Sequence, residues 1–190
     1  MSLFAKKVPA TPTDPAAFDA LYRSQVDWVA RTFRRLGARE PDLEDLAHDL
    51  FVVVHRQLPS FDAARPLRPW LFGIAVRVMA AYRRRASHRR ERPVAGPAME
   101  SVLESRADAP GLTADVAAED GQLRDELLRA LAELPLEQRA VFIAVAIDET
   151  PVPEVAHALG VPLNTCYSRL RLARQHLAAT FTPSREERRR

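Results

Sequence analysis

The 190-residue sequence predicts an all-α fold made of two small helical domains joined by a flexible linker. Three observations predict it. Apolar residues recur at three- and four-residue intervals on both sides of the chain's middle, with few β-branched alternations and no hairpin signal. Residues 92–121, RPVAGPAMESVLESRADAPGLTADVAAEDG, are rich in Ala, Pro, Gly and acids and carry no sustained apolar period, which is the composition of a tether. Residues 151–174, PVPEVAHALGVPLNTCYSRLRLAR, read as two helices crossing at a tight turn, the second studded with arginine.

In the N-terminal half, Phe18, Leu21, Tyr22, Val26, Val29, Ala30 and Phe33 mark one face of a first helix, and Gly37 stands where that helix stops. Pro41 opens a second helix whose apolar face runs Leu43, Leu46, Ala47, Leu50, Phe51, Val54 and Leu58, with Pro59 ending it. A proline-marked loop, PSFDAARPLRP, leads into a third helix over about Trp70 to Arg90, with Trp70, Leu71, Ile74, Val78 and Ala81 inward and arginines elsewhere. Residues 99–103 of the tether have the pattern of one further short turn of helix.

In the C-terminal half, Leu123, Leu127, Leu131 and Leu134 form a stripe that Pro135 ends. The next helix, LEQRAVFIAVAID, is apolar on most sides through Val141, Phe142, Val145 and Ala146 and belongs in the core. Thr150 as N-cap and Pro151 as first helical position then start the helical pair. Ala156 and Gly160 lie one turn apart: the small side chain lets the second helix approach, and the glycine can take the left-handed conformation that ends the first. Val155, Leu159, Val161, Cys166 and Leu170 supply the seam. Asn164, Thr165, Tyr167, Ser168, Arg169, Arg171 and Arg174 occupy the remaining positions of the second helix as donors and acceptors suited to base edges and phosphates, the layout of a helix-turn-helix that enters a DNA groove.

A hydrophobic content of 47% is enough for a packed core, and 28% charged residues argue for solubility. The net charge is only +3, but its distribution is uneven. Between Arg65 and Arg92 many arginines stand against the single acid Glu91, a stripe that suits a phosphate backbone better than a neutral partner. The one cysteine, Cys166, excludes an internal disulfide and a thiolate zinc cage built by this chain alone, and its place in the apolar seam reads as a structural thiol; a reducing cytoplasm is the natural compartment. No window is apolar enough to span a membrane, and the N-terminus has no signal-peptide core. The pairs Asp45/His48 and Glu154/His157 each place a carboxylate and a histidine three residues apart on a helix, as di-iron bundles do. That chemistry also needs two more inward glutamates, so neither metal nor cofactor is expected.

The motifs FDALYRSQVDWVARTFRRLG, PDLEDLAHDLFVVVHRQLPSFD, RPWLFGIAVRVMAAYRRRASHRRE and LPLEQRAVFIAVAIDETPVPEVAHALGVPLNTCYSRLRLAR, in this order around an acidic tether, resemble a bacterial RNA polymerase sigma factor of the extracytoplasmic-function type. The resemblance covers roughly residues 15 to 182. It implies a sigma region 2 domain over residues 15–92, an acidic linker over 93–121, and a sigma region 4 domain over 122–182. It implies transcription initiation without catalytic residues: binding of core RNA polymerase, recognition of promoter DNA in double-stranded and melted form, and no small-molecule substrate. An anti-sigma factor is the partner that commonly holds such proteins inactive.

Residue by residue, the resemblance implies that Asp42, Glu44, Asp45, His48 and Asp49 dock on core polymerase, with Phe51 or Val52 adding apolar contact. Phe61, Asp62, Arg65 and Arg68 correspond to the loop that captures a flipped base of the minus-10 element. Arg77, Arg83, Arg84, Arg85, His88, Arg89 and Arg90 track the phosphates of the melting duplex. Trp70 is read either as a buried anchor or as a base contact. Asn164, Thr165, Tyr167, Ser168, Arg169, Arg171 and Arg174 of the helix-turn-helix meet the minus-35 element, with Thr165, Ser168, Arg169 and Arg171 as its readers and Arg174 as a phosphate clamp. Glu100, Glu104, Asp108, Asp115, Glu119 and Asp120 match the family's acidic linker, or form a plain solvated tether. The sequence departs from the family's pattern at His48, Arg77, Ala81, Tyr167 and Leu172, which bear on promoter preference and polymerase docking. The competing reading is a helix-turn-helix regulator that works without core polymerase; it gives no reason for an acidic and a basic helix to coexist ahead of the tether.

Overall fold

The computed structural model describes residues 15–91 and 114–187, and every regular element among them is helical. Helix α1, Pro15–Leu36, buries Leu21, Trp28, Val29, Phe33 and Leu36. It ends at Gly37, whose φ of +91° belongs to the left-handed region that favours glycine. Pro41 lies within a 3₁₀ turn, Glu40–Asp42, so helix α2, Leu43–Gln57, starts two residues later than the proline alone predicts. A second 3₁₀ turn, Leu58–Ser60, follows it. Helix α3, Leu67–Glu91, starts a turn earlier than predicted, because Pro69 lacks an N–H where the first turn offers no acceptor anyway. The three helices pack against one another around Leu46, Leu50, Val54, Leu71, Ile74, Ala75 and Met79.

Helix α4, Ala114–Glu133, takes in residues 114–121 of the stretch read as tether. Its packed part is the C-terminal half: Ala130, Leu131 and Leu134 are buried, whereas Leu123, expected on the inner stripe, is 62% exposed. Helix α5, Leu136–Phe142, runs into a π-helical turn, Ile143–Ile147. Their buried side is Ala140, Val141, Ile143 and Ala144; Phe142 and Val145 are half-buried and Ala146 is exposed, so the segment is less deeply enclosed than its composition predicts. Residues 99–103 lie outside the described residues.

Helices α6, Val152–Leu159, and α7, Leu163–Glu187, form the crossing pair. The start of α6 differs from expectation: its N-cap is Pro151, in extended conformation, and Pro153 occupies the first turn, where a missing N–H is harmless. Thr150 instead donates its backbone N–H to the Ala144 carbonyl at 2.9 Å. Gly160, at φ +66°, ends α6, and Val155, Ala156, Cys166, Leu170 and Ala173 close the seam.

The two helical units are packed together. Helix α3 lies against α6, and α1 touches α4 and α5. Gly73, in the N-terminal third of α3, permits this, since a Cβ there would overlap the Ala158 carbonyl oxygen of α6. The joint is fastened by Arg139, a buried cation on α5 that donates to the Leu36 carbonyl at 2.8 Å, to Leu134 at 3.0 Å, and to Ala132. Burial, with repulsion from Arg83, depresses its pKa to about 10, which leaves it charged at neutral pH. Replacing Arg139 by Ala strands buried carbonyls on two helix ends and is expected to lower stability by about 3 kcal/mol in urea denaturation. Arg139→Lys is expected to recover little, because a point ammonium cannot reach carbonyls on both sides as the planar fork does.

Candidate nucleic-acid and partner interface

The acidic face of α2 follows from its period. With Leu43, Leu46, Ala47 and Leu50 buried, Glu44, Asp45, His48 and Asp49 project from the other side and are exposed. Asp42 is held at the base of this face: its carboxylate accepts from Tyr82 at 2.6 Å and from Arg39 at 2.7 Å, fixing α3 to the start of α2. Asp49 pairs with Arg85 across the same two helices at 3.2 Å. Val52 is half-buried. Phe51 is buried, with Phe18 edge-on and Tyr22 tilted over it, so it supports this surface from beneath and presents no ring to a partner.

The loop before α3 is ordered by its own side chains. Asp62 accepts from the Ala64 N–H at 3.0 Å, and Arg65 lies 3.6 Å from the same carboxylate. Phe61 is half-buried against Trp70, centroids 4.6 Å apart, so Trp70 is a partly buried partner of that loop. Arg68 sits over the Trp28 ring at 5.7 Å.

The α3 arginines divide. Arg84 is exposed. Arg83 donates to the Leu36 carbonyl at 3.2 Å and so helps end α1, while Arg77 reaches the Ala158 carbonyl of α6 at 3.5 Å. The side chains of His88, Arg89 and Arg90, like those of the acidic tether, lie outside the described residues. On α7, Asn164, Tyr167, Ser168, Arg171 and Arg174 are exposed and Thr165 and Arg169 half-buried, so the seven positions flank the buried Cys166 and Leu170 on the outer side of the crossing pair. Burial pushes the Cys166 thiol above its ordinary value despite Arg169 nearby, which keeps it protonated and unreactive.

A cleft of about 950 Å³ separates the units beside their contact, lined by Trp28, Arg31, Arg35, Arg68 and Phe72 on one wall and by Asp148, Glu149 and Glu154 on the other. Glu149 turns the chain there at φ +51°, a conformation that costs a residue with a side chain about 1 kcal/mol or more. Arg35 and Asp148 bridge the cleft at 3.0 Å, and the second Asp148 oxygen is buried without a hydrogen-bond partner. Sequence periodicity gave no warning of this pair or of Arg139; the usable signals were Gly73 inside a strong helix and a charge inside LEQRAVFIAVAID. Among the described residues no three His, Cys, Asp or Glu side chains gather as metal ligands, and no helix is long and apolar enough to cross a membrane.

Comparison with known proteins places both halves. Residues 21–89 match the family described as Sigma-70 region 2, and residues 124–177 match Sigma-70, region 4. The chain is 32% identical over 167 residues to the RNA polymerase sigma factor CnrH of Cupriavidus metallidurans, covering 84% of this chain and 83% of CnrH. It is 30% identical over 165 residues to the ECF RNA polymerase sigma factor SigM of Mycobacterium tuberculosis, covering 87% of this chain and 77% of SigM. The fold is similar to that of CnrH in its complex with the cytosolic domain of CnrY, with a TM-score of 0.58, 27% identity and 88% of each chain covered. It is also similar to the sigma factor RpoE of Bartonella quintana in complex with the anti-sigma factor NepR, with a TM-score of 0.64, 22% identity, and 86% of this chain and 95% of that one covered; this second likeness speaks to fold alone.

The cleft pair has a measurable signature. Burial outweighs the attraction of Arg35, Arg68 and Arg31 at Asp148 and pushes its carboxyl up. The folded carboxyl therefore holds its proton more tightly than the unfolded one, folding takes up a proton there, and this contribution weakens as pH rises from the ordinary carboxylate range through the folded titration. Asp148→Asn, which still accepts from Arg35, is expected to be at least as stable as the parent at pH 7 and to flatten that pH dependence in thermal melts. Arg35→Ala strands the buried carboxylate and is expected to cost about 1–3 kcal/mol.

Proposed function

Because this chain belongs to the extracytoplasmic-function RNA polymerase sigma factors, we propose that its two units divide promoter recognition between them, α2 meeting core RNA polymerase while α3 and α7 meet DNA. The protein is a transcription initiation factor, and the reading of a helix-turn-helix regulator that acts without polymerase is not favoured. The observation that carries the division of labour is the sorting of exposed charge. Glu44, Asp45, His48 and Asp49 crowd one helix face, and arginines with polar donors line the outer side of α7.

An acidic face of this kind steers and registers docking on a basic partner surface. The Phe61–Trp70 pair and Asp62 form a preorganised loop suited to stacking on and hydrogen-bonding an unstacked base of the minus-10 element. Arg77, Arg84 and Arg85 follow it along α3 as phosphate contacts. Thr165, Ser168, Arg169 and Arg171 are the readers of minus-35 base edges and phosphates, with Arg174 a phosphate clamp and Asn164 and Tyr167 flanking them. Region 2 accordingly spans residues 15–92, the acidic linker 93–121 and region 4 122–182. The chemistry is that of binding and positioning, with no catalytic side chain of its own, and it takes place with polymerase in the cytoplasm. An anti-sigma factor is the partner this reading implies, as the Bartonella RpoE is found in complex with the anti-sigma factor NepR.

The two surfaces are separable by mutation. Arg169→Ala is expected to weaken binding to a minus-35 duplex about 10-fold or more in fluorescence anisotropy while co-elution with core polymerase is unchanged. Asp45→Arg is expected to abolish co-elution and spare duplex binding. Loss of both activities in either variant, with folding intact, overturns the assignment.

A further inference from the structure

We propose that Tyr167 and Leu172 are specificity residues of the recognition helix, each seated against the C5-methyl group of a thymine at opposite edges of the major groove, an inference that rests on the minus-35 role of α7 given above. Among the described residues five large apolar side chains are exposed, and three of them, Leu163, Tyr167 and Leu172, fall between positions 163 and 172 of α7; Tyr167 is 50% exposed and Leu172 42%. Scattered singly such side chains need no explanation, but gathered on one short stretch they mark a contact surface. The residues around them say what the contact is. No acid occurs between Glu154 and Glu186, and Asn164, Ser168, Arg171 and Arg174 stand exposed among the apolar groups. A face that is otherwise cationic and polar suits a polyanion, and the apolar group that a DNA duplex offers in its major groove is the thymine methyl.

Helical geometry puts the two side chains on opposite shoulders of one face. With Cys166, Leu170, Ala173 and Leu177 buried, the outward direction of α7 runs through Ser168 and Gln175. At about 100° per residue, Tyr167 and Leu172 stand about 140° apart and bracket that direction. Leu163, one turn before Tyr167, extends the first shoulder. A groove about 12 Å wide admits a helix about 10–12 Å across with both shoulders in contact. In each A·T pair the hydrogen-bonding groups occupy the middle of the groove floor, and the methyl lies at its edge beside the thymine's own strand. Shoulder side chains therefore meet methyls, while Asn164 and Ser168 between them meet donors and acceptors. Covering one methyl in this way favours thymine over its unmethylated counterpart about 3- to 5-fold at each position.

Uracil in place of thymine isolates the methyl, because the base pair and its hydrogen-bonding edge are unchanged. The full chain, assembled with core RNA polymerase, selects a promoter from a random-sequence pool, and each thymine of the selected upstream element, on either strand, is replaced in turn by uracil. At two separate positions the replacement is expected to weaken binding about 3- to 5-fold. Tyr167→Ala is expected to bind thymine and uracil alike at one of these positions and Leu172→Ala at the other, whereas Tyr167→Phe, which keeps the ring, retains the parent's preference. Alanine favours a helix on an exposed face, so both variants fold, and thermal melts check that they do. A parent that is indifferent to uracil throughout the element, a selected element with no thymine on either strand, or a thymine preference that survives both alanine substitutions overturns the methyl contact and leaves the minus-35 reading standing. A parent that selects no upstream sequence at all overturns the minus-35 reading and the methyl contact with it. Alanine variants that bind DNA as the parent does but fail to co-elute with core polymerase assign the apolar shoulders to a protein surface and overturn the contact equally.

Discussion

The end of α1 is the point on which the rest of the molecule depends. A helix that stops inside a protein leaves carbonyls with no partner in their own helix, and here the last residue, Leu36, is fully buried. Two guanidinium groups from distant parts of the chain, Arg83 on α3 and Arg139 on α5, converge on its carbonyl. Gly37 makes the convergence possible twice over, by turning the chain with a positive φ and by having no Cβ where the Arg139 guanidinium lies. One capped helix end therefore joins α1, α3 and α5, and through them both halves of the chain.

The same economy governs the surface charges. Asp42 just before the acidic helix and Asp49 on it, and Arg77, Arg83 and Arg85 on the basic one, already have partners within the chain. The exposed ones among these, Asp49 with Arg85 and Arg77 with the Ala158 carbonyl, add little stability. Their effect is to set register: α2 and α3 present opposite charges at a fixed angle, with Glu44, Asp45 and His48 left outward on one and Arg84 on the other. A partner of either sign must then displace or recruit groups that are already oriented.

The amphipathic pattern is local, and for that reason the helices, Gly37, the Gly160 turn and the seam from Val155 to Leu170 were legible in the sequence. The misreadings came from backbone details that periodicity does not encode. Prolines placed α2, α3 and α6 within two or three residues of their true starts, because a ring that lacks an N–H is tolerated anywhere in a first turn. Leu123 continued a regular stripe yet faces outward, since a stripe predicts which side of a helix is inward and not how far along it the core extends. At the candidate interface, exposure on α2 and α7 followed from spacing, and so did the burial of Phe51 on the apolar face of α2, which the resemblance alone would have turned toward a partner; Phe18 and Tyr22 lie over it. The contact between the halves involves residues 81 to 113 positions apart, and only Gly73 and Arg139 hinted at it.

Both tryptophans of the chain, Trp28 and Trp70, lie in the N-terminal half, and each has a distinct neighbour: a guanidinium over the indole of the first, a phenyl ring beside the second. Tryptophan emission, excited selectively over tyrosine, is therefore blind to the melting of the C-terminal half except through the cleft wall that Trp28 shares with Asp148 and Glu154. Indole fluorescence and far-ultraviolet dichroism, followed side by side, thus amount to a built-in pair of optical channels: the first confined to one half of the polypeptide, the second summing over both.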